Sequence, residues 1–201
     1  MESQYQRIAT IINNAPHEAV FVASDFVDIA DINTVRQCLS RLEQAGEITR
    51  IIRGLYYQPA YSKLLGEYEA PSPHHVAEAL ARKYNWTIAP FGPTALNRLG
   101  LSTQVPAKWS YISDGPYNSF TVGKIEIEFK HRSNKEISGM SPMTALVIQA
   151  LRELGKDRID DITIQRLQRM LTPEQKAALL TEAKQTTSWI YGFIKRICKE
   201  D

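Results

Sequence analysis

Apolar residues in the first sixty positions fall into short blocks, each with its own period. Tyr5, Ile8, Ala9 and Ile12 recur at i, i+3, i+4 and i+7, which puts them on one face of a helix. Asn13-Asn14-Ala15-Pro16 ends that helix, because proline lacks an amide donor and restricts the residue before it. Phe21-Val22 leads to Ser24, the expected N-cap of a short helix to about Ile29. Asp31-Ile32-Asn33 then reads as a tight turn with Asn33 capping the next helix. That helix, from Thr34 to about Ala45, has two faces: Val35, Cys38, Leu39 and Leu42 form an apolar stripe, and Arg36, Gln37, Ser40 and Arg41 lie opposite. Gly46 supplies its stop. Ile48–Ile51 and Leu55–Tyr57 read as strands around the short turn Ile52-Arg53-Gly54.

Ala60 to Pro73 closes on Pro71-Ser72-Pro73 and is expected to be a linker. A new set of periods follows. His75–Tyr84 predicts a helix, 86–89 a short strand, Thr94–Leu99 a short helix closed by Gly100, and Trp109–Ser113 another strand. Phe120, Val122, Ile125, Ile127 and Phe129 alternate with polar neighbours around Gly123-Lys124, a two-residue hairpin. From Ser141 onward the pattern is helical. Ser141-Pro142 forms a cap and first position, with Gly155 as stop. A helix from about Ile162 to Leu171 follows, then Thr172-Pro173-Glu174-Gln175 as a capping box, and a last helix carrying Trp189, Ile190, Phe193, Ile194 and Ile197. The fold class expected is α+β. Residues 1–60 form a winged helix-turn-helix, 61–73 the linker, and 74–201 a second domain with a small, mostly antiparallel sheet and a helical C-terminal half.

Composition narrows the function classes. A chain of 201 residues suits two compact domains, and no apolar run reaches the roughly 18 residues a membrane span needs. The N-terminus shows no basic region followed by an apolar core, so a cytoplasmic protein is expected. Cys38 and Cys198 are too few for a disulfide framework and lack metal-ligand spacing, and Cys38 falls on the buried stripe. A net charge of +2 excludes a protein that coats nucleic acid by charge alone, but a compact reader needs only a local basic face.

Such a face is present. One helix must bury a stripe and also offer hydrogen-bonding side chains to the major groove. Arginine bridges guanine O6 and N7, glutamine pairs with adenine N6 and N7, and serine suits base or phosphate. Arg36, Gln37, Ser40 and Arg41 are those types near the helix start, with Asn33 and Thr34 at its very beginning. Arg50, Arg53 and Gly54 on the hairpin would meet phosphates or the minor groove. Double-stranded DNA is therefore the expected partner, and the module allows a homodimer on two half-sites.

Val35-Arg36-Gln37-Cys38-Leu39-Ser40-Arg41-Leu42 and Arg53-Gly54-Leu55-Tyr56 resemble the N-terminal domain of AbiEi-family antitoxins. The resemblance continues through the run from Phe91-Gly92-Pro93-Thr94 to Gln104-Val105-Pro106 and through Leu146–Leu151. It implies a bacterial type IV toxin–antitoxin system. The winged helix would repress the operon's own promoter, and the second domain would counter a nucleotidyltransferase toxin without a stable complex. The alternative is a winged-helix regulator whose second domain senses a ligand or protein, with no toxin.

No catalytic constellation, cofactor motif or metal site is expected. Adjacent His74 and His75 do not converge on one ion, and Asp157, Asp160 and Asp161 sit between helices, where aspartate favours the next N-terminus. Gly92-Pro93-Thr94 and Gln104-Val105-Pro106 read as turn chemistry. Lys124, Lys130, His131, Arg132 and Lys135 suggest a basic strip, offset by Glu126, Glu128 and Glu136. An enzyme acting on nucleic acid is the least supported class.

Overall fold

The computed structural model describes residues 2–64, 66–132 and 139–199. The chain divides into two compact units, Met1–Trp86 and Thr87–Asp201, and the fold is α+β.

The first unit has the order α1 (Gln4–Asn14), β1 (Val20–Phe21), a 3-10 turn (Ala23–Phe26), α2 (Ile32–Gln44), β2 (Thr49–Ile52), β3 (Leu55–Tyr57), β4 (Ala60–Ser62), β5 (Glu67–Glu69) and α3 (Pro73–Tyr84). Strands β1, β3 and β2 make an antiparallel sheet in that order, with β3 in the middle. Ile8 and Ile12 of α1 pack with Phe21, Phe26, Val35, Cys38, Leu39, Leu42 and Ile48 in one core. Each fully buried aliphatic side chain there contributes about 1.5–3 kcal/mol. This is the winged helix-turn-helix arrangement.

Local details depart from the pattern in two places. The helix expected from Ser24 to Ile29 is only a four-residue 3-10 turn. Val22 precedes it, and the Asp25 carboxylate takes the Val22 amide at 2.9 Å. Asp31, not Asn33, caps α2: its Oδ1 accepts the amides of Asn33 (3.0 Å) and Thr34 (3.1 Å). Asn33 already lies inside the helix, one residue past its first position.

The expected linker is structured, and the boundary moves. Ala60–Ser62 and Glu67–Glu69 form a hairpin of their own, with Tyr61 opposite Tyr68. Ser72 caps α3 through its hydroxyl, and Pro73 takes the first helical position, where its missing amide costs nothing. Proline therefore starts a helix here rather than marking a domain edge. α3 packs on β1 and β3 and belongs to the first unit, which ends at Trp86 instead of near residue 60.

The second unit begins with β6 (Ile88–Pro90), α4 (Pro93–Arg98), β7 (Lys108–Ser113), β8 (Asn118–Val122) and β9 (Ile125–His131). The sheet order is β6-β7-β9-β8, antiparallel except for the parallel pair β7–β9. Val122 faces Ile125 across the Gly123-Lys124 turn, in which Gly123 has φ +58°. Helices α5 (Pro142–Leu154), α6 (Asp161–Met170), α7 (Pro173–Glu182) and α8 (Ser188–Ile197) complete it. Ser141 and Pro142 open α5, and Gly155 closes it at φ +73°. Thr172 and Gln175 form the reciprocal capping box of α7. Leu146, Val147, Ala150 and Leu151 of α5 meet Ile164, Leu167, Leu179, Ile190, Ile194 and Ile197 in the larger core.

Candidate nucleic-acid interface

Helix α2 separates its two faces cleanly. Val35, Cys38, Leu39 and Leu42 are buried, whereas Arg36, Gln37 and Arg41 are exposed and Ser40 is half-exposed. All four polar residues therefore share the outward face. At its start the Thr34 hydroxyl donates to Asp31 Oδ2 at 2.5 Å, and Asn33 Oδ1 takes a long 3.5 Å contact from Arg36 Nη1. The Thr34 hydroxyl, then its amide, hold the Asp31 carboxyl below the usual carboxylate range. Asp31 is therefore ionised at neutral pH, favourable beside a helix N-terminus.

Arg41 is placed by a residue that the pattern assigns only to the core. Its guanidinium carbon lies 4.7 Å from the centroid of the Tyr5 ring, and the Tyr5 hydroxyl donates to Glu47 Oε1 at 3.1 Å. Desolvation, then the Glu47 bond, push the Tyr5 hydroxyl above its ordinary range, so it stays protonated and donating. A groove lined in part by Tyr5, Gln6, Thr34, Gln37 and Arg41 runs beside this face.

The wing is the β2–β3 hairpin. Ile52 pairs with Leu55, leaving Arg53-Gly54 as a two-residue turn shorter than the expected three, and a register shift lies between Arg50 and Ile52. Gly54 has φ +82°, the left-handed value its position needs. Arg50 pairs opposite Tyr56, and both Arg50 and Arg53 are exposed. Among the described residues, no carboxylate lies within ion-pair distance of Arg36, Arg41, Arg50 or Arg53.

Helix α3 braces this assembly, which no short-range spacing signals. Lys83 Nζ donates to the Arg53 carbonyl at 2.7 Å and sits 3.7 Å from where a Cβ on Gly54 would be. Arg82 donates to the Val20 carbonyl at 2.7 Å and to both Asp25 oxygens at 2.9 and 3.3 Å. Two consecutive cations thus tie the wing and the turn before α2 to one helix.

Several other polar groups singled out in the sequence have local partners. His75 approaches the Ser72 hydroxyl at 3.1 Å and Glu18 at 3.4 Å, and His74 lies 3.3 Å from Glu78. Asp160 caps α6, taking the Thr163 amide at 2.8 Å, and Asp161 pairs with Arg196. The basic strip is interrupted: Lys130 meets Glu128 at 3.4 Å and His131 Nδ1 approaches the Gly115 carbonyl at 2.9 Å, while Lys135 and Glu136 lie outside the described residues. Gly92 opens α4 at φ +61°, the Thr94 hydroxyl accepts the Ser110 amide at 2.8 Å, and Asn97 donates to the Gln104 carbonyl at 3.0 Å. The Phe91–Pro106 segment is thus turn chemistry that packs α4 on the sheet.

The sequence model of a family of unknown function, DUF6088, matches residues 7–179, and the chain belongs to that family. No curated protein matches it. Among solved structures it is similar to the RV2827C protein from Mycobacterium tuberculosis, at 11% identity and a TM-score of 0.41, over 97% of this chain and 76% of that one.

Proposed function

We propose that this DUF6088 member binds double-stranded DNA through α2 and the β2–β3 wing. It represses its own promoter as the antitoxin of a type IV pair in the bacterial cytoplasm. One observation carries the DNA half: Arg36, Gln37, Ser40 and Arg41 stand together on the outward face of a helix whose opposite stripe is buried, with Arg50 and Arg53 exposed on the adjoining hairpin. Those side chains suit base edges and phosphates respectively. The antitoxin half rests on the resemblance of Phe91–Pro106 and Leu146–Leu151 to AbiEi proteins. The partner opposed would be a nucleotidyltransferase toxin, countered without a stable complex.

The test is fluorescence anisotropy on a duplex from the region upstream of the gene, against a scrambled duplex of equal length. Preference for the native sequence, lost in the double variant Arg36→Ala, Arg41→Ala, is the expected result. Equal binding of both duplexes by wild-type protein refutes the promoter reading.

A further inference from the structure

The second unit carries an open groove along α8 that the DNA reading does not use. Trp189, Gly192 and Phe193 line it together with Ser188, Lys156 and Arg196. Trp189 and Phe193 stand edge to face, with centroids 6.3 Å apart. Gly192 faces outward with nothing within 4 Å of where its Cβ would be, so the missing side chain leaves the groove open. Glycine in a helix interior costs about 0.5–1 kcal/mol relative to alanine. Here that cost leaves an apolar slot three residues, just under one helical turn, from a tryptophan.

We infer that this groove docks an acidic segment of a partner protein, one apolar side chain entering over Gly192 and flanking carboxylates meeting Lys156 and Arg196. Charge complementarity argues for the occupant. Lys156 has no carboxylate within ion-pair distance among the described residues. Arg196 Nη2 already holds a carboxylate, Asp161 Oδ1, at 2.6 Å, which shows the geometry it offers one. Both partners in that pair are well exposed, and exposed pairs of this kind are worth little. An incoming carboxylate can therefore replace Asp161 at small cost. Trp, Phe and Arg are also the types that dominate the centres of protein interfaces.

A nucleic-acid strand fits less well. A base needs an open aromatic face, and Arg196, 5.4 Å from the Phe193 centroid, already covers one face of that ring.

The experiment uses the full chain labelled with 15N and follows the indole NH of Trp189, assigned with Trp189→Phe. The probes are a short synthetic peptide with alternating Glu, Phe and Leu, the same peptide with Lys for Glu, and an oligothymidylate. The acidic peptide should shift the Trp189 resonance and the lysine peptide should not. Gly192→Leu, which fills the slot with a better helix former, should weaken the acidic peptide by about tenfold or more. Asp161→Asn should tighten it by freeing Arg196, an outcome general stickiness would not give. Gly192→Ala, with an unchanged melting temperature, separates blocking from misfolding. No shift with the acidic peptide, an equal shift with the lysine peptide, or a shift with oligothymidylate alone overturns the inference.

Discussion

The guanidinium of Arg41 stacks 4.7 Å from the ring centroid of Tyr5, whose hydroxyl is held by Glu47. A flexible arginine on the outward face of α2 is thereby given a fixed seat by α1. On the DNA reading, the seat lowers the ordering cost when Arg41 meets a base. Arg36→Ala or Arg41→Ala should each cost roughly 1–3 kcal/mol of operator affinity if bidentate to guanine. Tyr5→Leu should cost about 0.5–1 kcal/mol, the worth of an exposed cation–π contact. In the Arg41→Ala background the same change should cost nothing more. Anisotropy titrations of the four proteins close that cycle, and equal losses in both backgrounds would mean that Tyr5 acts independently.

Lys83 holds the Arg53 carbonyl, which makes the wing and α3 one object. Arg53→Ala should weaken operator and random duplex about equally and lower the salt slope by about 1, as a phosphate contact does. Lys83→Met keeps the aliphatic stem and removes the donor, so it should weaken both duplexes as well, through a looser turn. Salt titrations separate this from lost specificity. A loss confined to the operator for Arg53→Ala would assign that residue to bases or groove shape.

Glu182 fastens the end of α7 to the start of α5. Its Oε2 accepts from both the amide and the hydroxyl of Ser141 at 2.8 Å. Burial pushes its carboxyl upward, but the bonds from Thr144 and Ser141 outweigh that and leave it below its ordinary value of 4.5. A lowered folded pKa means the contribution is complete above 4.5 and fades as pH falls through the lower folded value. Melting temperatures of wild type and Glu182→Gln should differ near neutrality and converge in acid. A gap that persists into acid would show that protonation of Glu182 is not what the native contact opposes.

What the sequence makes legible depends on range. The α2 stripe, the Ser141-Pro142 start, the Thr172–Gln175 box and the Gly123-Lys124 turn each depend on residues close in sequence, and each is found in place. Asp31 and Asn33 are equally good caps by type. The choice falls to Asp31 because its carboxylate takes two amides and a hydroxyl at once. Tyr5 fits the apolar period of α1, so its second role as a platform is invisible until α2 is packed beside it. The Lys83–Arg53 and Arg82–Asp25 contacts join residues thirty and fifty-seven positions apart, beyond any local pattern. For the same reason, Pro71-Ser72-Pro73 passes for a boundary when it is the cap of a helix that closes the first unit.

That correction changes which fragments should work. A piece ending at residue 70 lacks α3, and with it the Arg82 bonds to Asp25 and Val20 and the Lys83 bond to the wing. It should unfold at lower urea than residues 1–86 and bind the operator more weakly, and denaturant titration of the two decides this. Residues 87–201 keep both the large core under α5 and the smaller cluster of Ala89, Ile112 and Ala145, enough to fold separately. If the second unit is the antitoxin part, 87–201 should restore growth in cells making the cognate toxin yet leave the promoter active, while 1–86 represses without protecting. Promoter activity and growth are scored in the same strains, with full-length protein as reference. Should the full chain repress but give no protection, the plain winged-helix regulator replaces the antitoxin. If neither fragment represses but the full chain does, repression needs the two units together, as it would if the second supplies the dimer that sets half-site spacing.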